Sequence, residues 1–288
     1  MQENSGVAMF EVDEKVLDNI KRSFTIPSKP ELLIDLQNQL KLAEPDINLI
    51  SDIISKDVGI AAGVLRVVNS AAFGLPRSVT DIKQAAMFLG FGGVHSVVIA
   101  LVLKQSMSKH TCCISLDSFW DKACNVANVA MFIAKHFKDR IAPEDVYTAA
   151  LFQDCGIPAM ALKFQDYFKI LKVADKTVKY TLAELEERKY KTNHAVVGYF
   201  ISSTWQLPRP ICQQVLRHHD RTFLSNLDHS NDQLIYAVIK LAENAFSHHH
   251  NGEDTPDWSY CQESVLEVLE FDDDELKDIV EDIEELLV

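Results

Sequence analysis

Amphipathic helical segments follow one another along the whole chain. Apolar residues recur at positions 32, 33, 36 and 40, and again at 49, 50, 53 and 54, which is the spacing of a helix with one buried face. Runs of alternating β-branched residues between turn signals, which indicate strands, do not occur in the sequence. The pattern predicts an all-α fold.

Polar residues at the starts of these segments support the same fold class. Ser28 with Glu31, and Thr181 with Glu184, have the spacing of a capping box, in which each side chain bonds the other residue's backbone amide. Asp46 precedes an apolar helical stripe and is typical of a single-residue cap. We therefore expect helices to begin at these positions.

The segment Ala85–Leu103 is 19 residues long and carries no charge, so it has the composition of a membrane span. It is interrupted by four residues, "GFGG" at 90–93, and contains His95. Two buried helices that meet at a glycine corner account for these features better, and no membrane association is predicted.

The polar stretch at 108–117 is the predicted division between two helical lobes. This gives an N-terminal helical lobe at 1–110, a second helical lobe at 111–252 and an acidic C-terminal segment at 253–288.

The net charge of −14 is confined to the C-terminal segment, where residues 253–288 contain 15 acids and one base. The other 252 residues hold 27 of each, which offers no excess of cations for nucleic-acid binding. The N-terminus lacks the basic and apolar regions of a signal peptide. The six cysteines show no CxxC spacing, which indicates reduced thiols in a cytoplasmic protein.

The stretch "IPSKPELLIDLQNQL…ISKDVGIAAGVLRVVNSAAFGLPRSVTDIKQAAMFLG" at 26–90 resembles the N-terminal part of HDOD proteins, the HD-related output domains of bacterial signalling. The segments "FWDKACNVANVAMFIA", "AALFQDCG", "NHAVVGYFISSTWQLP" and "VLRHHD" follow in the family's order, so the resemblance covers about residues 20–250. It implies an N-terminal helical lobe packed on a degenerate HD-like lobe. It also implies a non-catalytic bacterial signalling module that contacts unknown signalling proteins.

HD-superfamily phosphohydrolases hold divalent metals with an early His, a His-Asp doublet and a distal Asp. Matched by segment, these positions fall here on Lys122, on Gln153-Asp154 and on Glu243. A protonated lysine has no lone pair and an amide oxygen is a weak ligand, so we expect no metal, cofactor or catalysis. Two alternatives stay open for Asp154: Lys122 neutralises it, or Lys122 faces solvent and Asp154 caps backbone amides.

His194, His218 and His219 lie in segments that contribute further polar groups in catalytic relatives. Because adjacent helical residues point about 100° apart, only one of His218 and His219 is expected to face the pocket. A structural role at a helix C-terminus is favoured for this doublet. The alternative is a residual metal-dependent phosphohydrolase or phosphodiesterase that uses Asp154, His194 and one of the two. The cluster "SHHH" at 247–250 is a weak metal signal.

The C-terminal segment has apolar residues at helical spacing in two pieces, with Asp272 or Asp273 as the cap of the second. Its apolar face is expected to pack on the second lobe. The outward acids either keep the protein soluble or dock a basic partner helix. They are Asp272, Asp273, Asp274, Glu275, Asp278, Glu281, Asp282 and Glu285.

Overall fold

A computed structural model describes residues 14–24, 28–107 and 112–287. Within these ranges the chain forms fifteen α-helices and two single-turn 3₁₀ helices, and no strand, so the predicted all-α class is confirmed. The α-helices are α1 Glu14–Ser23, α2 Glu31–Leu40, α3 Ile47–Ser55, α4 Val58–Val68, α5 Ile82–Met107, α6 Leu116–Ala134, α7 Pro143–Phe152, α8 Gly156–Lys163, α9 Tyr167–Ala174, α10 Leu182–Tyr190, α11 His194–Thr204, α12 Arg209–Arg217, α13 Asn231–Asn251, α14 Trp258–Leu269 and α15 Asp273–Leu287.

Two of the three predicted helix starts are set by the side chains that the sequence indicates. The Asp46 carboxylate accepts from the backbone amide of the second residue of α3, and Thr181 with Glu184 forms both bonds of the capping box at α10. The capping box predicted at Ser28 is wrong. Pro30 occupies the cap position of α2 in an extended conformation, which leaves Ser28 two residues too early to reach the first free amides.

The apolar helix α5 bends at Gly90, whose φ of 65° and ψ of 174° are open to glycine alone. The predicted glycine corner is therefore present. Within the described ranges, α5 is the one helix long and apolar enough to cross a membrane, and 61% of its most apolar stretch is buried inside the protein. This burial is that of a core helix.

Helices α2, α3 and α4 pack on α5 and form a first group with it. Helix α6 lies at the centre of a second group, between α7 and α13. Helix α5 also packs on α7, so one hydrophobic core runs through both groups. The predicted lobe boundary at 110 falls among residues 108–111, which lie outside the described residues, and the division into lobes stays a prediction.

The C-terminal segment forms α14 and α15, which pack on α13, and α15 also contacts α6. Ile279 and Ile283 are buried, while Asp272 and Glu275 make a reciprocal capping box at the start of α15. The predicted acids whose side chains are described are all exposed; that of Asp273 lies outside the description.

Candidate functional site

The helical structure is interrupted between α7 and α8, and Asp154 lies in this interruption. A Cβ on Gly156, the first residue of α8, would lie 2.0 Å from the carbonyl oxygen of His194. Only glycine therefore lets the start of α8 approach the start of α11 so closely. This contact places Asp154 beside His194.

Three polar atoms converge at this point. The Oδ1 atom of Asp154 lies 3.4 Å from Nε2 of His194 and 3.4 Å from Nε2 of His218, and the two nitrogens are 3.0 Å apart. Both imidazoles are buried. Ligand atoms around one tetrahedral metal ion have about this spacing, given metal–ligand distances of about 2.0–2.2 Å.

The other ring nitrogens explain why these atoms face one another. Nδ1 of His218 lies 2.8 Å from the carbonyl oxygen of Val215, which only accepts, so this nitrogen carries a proton. Nδ1 of His194 lies 2.7 Å from Oε2 of the fully buried Glu186, which also accepts from the His194 amide and the Tyr167 hydroxyl. Neutral rings would then turn two Nε2 lone pairs and a carboxylate toward one point, which requires a cation there.

A proton is the cation that the chain itself supplies. Burial alone would raise the pKa of Asp154, but hydrogen bonds and charge from His194 and His218 outweigh it and hold that pKa well below its usual range. Burial alone would lower the pKa of His194, but Glu186 and Asp154 raise it above its usual range. The charged form of this histidine is therefore favoured.

His219 lies at the edge of the same cluster, with its ring centre 4.9 Å from that of His194. Its Nδ1 lies 3.3 Å from Oδ2 of Asp257, whose other oxygen accepts from Arg221. Burial and the nearby cationic groups lower the pKa of His219 to about 3, against the opposing effect of Asp257. One ligand atom from each of Asp154, His194, His218 and His219 lies within 4.8 Å of the others.

The expectation that only one of His218 and His219 faces the pocket is therefore wrong. Helix α12 ends at Arg217, and the chain turns after His218. The 100° spacing of adjacent helical residues does not apply beyond a helix end, so both rings reach the cluster.

The pocket has two halves: the histidine cluster beside Asp154, and a second half beside Gln153. A different set of side chains lines the second half. Nε2 of Gln153 donates to Oε1 of Glu243 at 2.8 Å, and Nζ of Lys240 donates to Oε2 of Glu243 at 2.9 Å. Lys240 is only 5% exposed. Burial alone would lower its pKa, but Glu243, Tyr236 and Asp257 raise it, so the ammonium stays charged.

Lys122 faces solvent, as one of the two alternatives expects, and it does not neutralise Asp154. It is exposed and lines a cavity of about 320 Å³ together with Gln153, Asp154 and Glu243, but it makes no ion pair with Asp154. Among the described residues no backbone amide donates to the Asp154 carboxylate either, so neither alternative for Asp154 holds in full. The histidines are its partners, because α8 and α11 meet at Gly156.

The donor chemistry of the two halves fits a metal ion differently. Two imidazole nitrogens and a carboxylate, with His219 nearby, suit a borderline divalent ion such as Zn²⁺. The half that holds Lys240 already contains a buried positive charge, and this charge opposes a second cation even though the Oε1 atom of Gln153 has no hydrogen-bond partner. The pocket therefore fits one ion on the imidazole side and none beside Lys240.

Sequence reasoning missed three residues that shape this site. Glu186 lies in the charged segment "TLAELEERKY", where nothing distinguishes it from its exposed neighbours. Asp257 is one acid among many in the C-terminal segment. Lys240 had a usable signal, since it is a lone lysine in an apolar run with an acid three residues later. The triplet at 248–250 is exposed and does not join the cluster.

A family model described as "HDOD domain" matches residues 26–221. An uncharacterized protein of Treponema pallidum (strain Nichols) is 22% identical over 219 residues, which are 72% of this chain and 39% of that protein. The chain thus spans well under half the length of this relative.

Solved structures show the same fold at low identity. An HDOD domain protein from Geobacter sulfurreducens has a TM-score of 0.62 at 19% identity, over 95% of this chain and 98% of its own. A Shewanella amazonensis SB2B protein provisionally named a phosphohydrolase has a TM-score of 0.67 at 16% identity, over 94% and 93%. A Marinobacter aquaeolei VT8 protein provisionally named a signal transduction protein has a TM-score of 0.65 at 15% identity, over 98% and 60%.

Proposed function

The chain belongs to the HDOD family, and from this premise we propose that it is a bacterial cytoplasmic signalling module that acts through protein contacts and not by hydrolysis. The ion pair of Lys240 with Glu243 is the observation that carries the proposal. It supplies a buried positive charge in the half of the pocket where the HD resemblance places the doublet's first residue and the distal acid.

The chemistry of hydrolysis explains why this substitution matters. In the resembled phosphohydrolases, divalent ions lower the pKa of a bound water and stabilise charge on the phosphate. Here Gln153 replaces an imidazole ligand, and Glu243 spends both carboxylate oxygens on Gln153 and Lys240. The Lys240 ammonium beside Glu243 repels a cation in this half of the pocket, so we expect that a two-ion site does not form.

The test is an assay of phosphomonoester and cyclic-dinucleotide hydrolysis with added Mn²⁺, Fe²⁺ or Zn²⁺, using protein made without a histidine tag. We expect no turnover above that of the Asp154→Ala variant. Turnover by the native chain that Asp154→Ala abolishes would overturn the proposal.

A second candidate function, a residual metal-dependent phosphohydrolase or phosphodiesterase, is favoured by one observation. Asp154, His194 and His218 present three ligand atoms about 3.0–3.4 Å apart, with both imidazoles oriented by acceptors on Nδ1. These residues would hold one ion, and such an ion supplies a water of lowered pKa. The same hydrolysis assay decides between the two candidates.

The exposed acids of α15 support a contact surface for the signalling role. Its apolar side is committed to α13 and α6, so its outer face carries the negative charge and a single lysine, Lys277. We infer that a basic partner helix docks there, in an encounter steered by charge. Once a crosslinking pull-down from the native host has supplied a partner, its association should slow at high salt and with Asp278→Asn and Glu281→Gln. Association that is unaffected by either change would reduce this face to a solubilising role.

A further inference from the structure

All three imidazoles of the cluster have an acceptor on Nδ1. Glu186 of α10 serves His194 at 2.7 Å, the Val215 carbonyl serves His218 at 2.8 Å, and the third acceptor is an oxygen of Asp257, at 3.3 Å from His219. An acceptor on Nδ1 leaves Nε2 as the ligand atom and fixes the plane of the ring. Such outer carboxylates are typical of metal-binding histidines.

Asp257 differs from the other two acceptors in its place in the chain. It immediately precedes α14 and lies beyond residues 26–221, the part that matches the family model. Its second oxygen accepts from Arg221 at 2.9 Å. Arg221 also donates to the carbonyl of Val178 and lies over the ring of Tyr260 in α14, 3.9 Å from its centre. Asp257 thus connects the C-terminal helices to the histidine cluster.

We propose that Asp257 is a positioning residue for a single transition-metal ion held by Asp154, His194, His218 and His219, so that ion binding and the docking of α14 stabilise each other. The inference rests on the ion-binding part of the second candidate function and not on hydrolysis. Three nitrogens and one carboxylate oxygen suit Zn²⁺, Fe²⁺ or Co²⁺ better than Mg²⁺ or Ca²⁺.

The mutual effect follows from thermodynamic linkage. If docking of α14 presents His219 to the ion through Asp257, ion binding must favour the docked helix by the same factor. The ion would then be an input signal. Its binding would stabilise the docked C-terminal helices and so change how their exposed acids are presented.

A purely structural role for Asp257 gives a different expectation. Asp257 would then hold Arg221 and the start of α14, and its loss would lower stability without changing affinity for any ion. Arg221→Gln separates the two roles, because it removes the other partner of Asp257 and leaves the contact with His219. Asp254→Asn is a matched control, since Asp254 lies in the same loop and bonds Asn244 instead.

The experiment measures Zn²⁺ affinity by competition with a chromogenic chelator, and Co²⁺ coordination by visible absorption. All proteins lack a histidine tag and carry Gln in place of His248, His249 and His250, because exposed imidazoles bind these ions adventitiously. Hydrogen exchange of residues 258–287, with and without Zn²⁺, reports the docking of the C-terminal helices. Thermal unfolding in the presence of a chelator checks that each variant folds.

We expect one Zn²⁺ per chain, tetrahedral Co²⁺ absorption, and slower exchange in residues 258–287 with Zn²⁺. Asp257→Asn should weaken Zn²⁺ binding about 10- to 100-fold and remove this protection. Asp254→Asn should retain the affinity, and Arg221→Gln, which loosens α14 but leaves the contact of Asp257 with His219, should weaken it less than Asp257→Asn does. Unchanged Zn²⁺ affinity in folded Asp257→Asn would overturn the positioning role. Absence of Zn²⁺ binding by the parent protein would overturn the ion site itself and leave the signalling proposal standing.

Discussion

The two halves of the pocket neutralise the charge of a carboxylate in different ways. Beside Gln153, the carboxylate of Glu243 is neutralised by an ammonium from its own helix, that of Lys240. Beside Asp154, the partners are two imidazoles, whose charge depends on a bound proton or metal ion. A covalently attached cation cannot leave, but a proton or an ion can. The difference assigns a fixed structural role to one half and an exchangeable cation to the other.

The largest expected effect comes from removing the fixed cation. Lys240→Met leaves the Glu243 carboxylate beside Gln153 without its ammonium, and breaking a buried pair in this way costs about 3–5 kcal/mol. Lys122→Met is the matched control: Lys122 is exposed and unpaired with Asp154, so its replacement should change stability by less than about 0.5 kcal/mol. Urea unfolding at neutral pH measures both.

The double variant Lys240→Met/Glu243→Leu sharpens this test. Removing both charges replaces the pair with apolar side chains, which is often close to neutral in stability. It should therefore regain most of the loss. Equal costs for Lys240→Met and Lys122→Met would contradict the assignment of the fixed cation to Lys240.

A smaller effect is expected from the acceptor behind the exchangeable half. The Glu186 carboxylate accepts from the Tyr167 hydroxyl and from two nitrogens of His194. In Glu186→Gln the side-chain NH₂, itself a donor, would face one of these donors and leave it without an acceptor. Hydrogen bonds to a charged group contribute about 1.5–3 kcal/mol, so we expect a loss of about 2–3 kcal/mol in urea unfolding. The exposed neighbour Glu187, changed to Gln, is the control and should cost under about 0.5 kcal/mol. Similar losses for the two would show that Glu186 does not orient His194.

The smallest effect concerns a histidine outside the pocket. Burial, with the charges of Lys29 and Lys41, lowers the pKa of His95 to about 4, whereas carboxylates raise that of His194. In the unfolded chain His95 takes up a proton near pH 6.5, whereas in the folded chain it does so only near pH 4. Acid therefore favours unfolding. Stability should fall by about 1–2 kcal/mol from this group between pH 7.5 and pH 5.

His95→Gln should remove that part of the pH dependence in urea titrations at the two pH values, because glutamine does not titrate. A variant that loses as much stability in acid as the parent would assign the dependence to other groups.

The sequence predicted the fold class, two of three helix starts and the glycine corner because these depend on residues close together in the chain. Through the family resemblance it also grouped Gln153-Asp154 with His194 and with one of His218 and His219. The partners of these residues could not be predicted. Which of Lys122 and Lys240 supplies the ammonium depends on side-chain direction and on contacts across helices, and Glu186 looks like its solvated neighbours in the sequence.

The number of ions that the pocket binds distinguishes a fixed cation from an exchangeable one. Tag-free protein with Gln at 248, 249 and 250 would be equilibrated with Zn²⁺ or Mn²⁺, freed of loose ions, and assayed by elemental analysis. We predict at most one ion per chain, lost in Asp154→Ala and retained in Lys122→Met. Two ions per chain, or one that survives Asp154→Ala, would contradict the division of the pocket into a fixed and an exchangeable half.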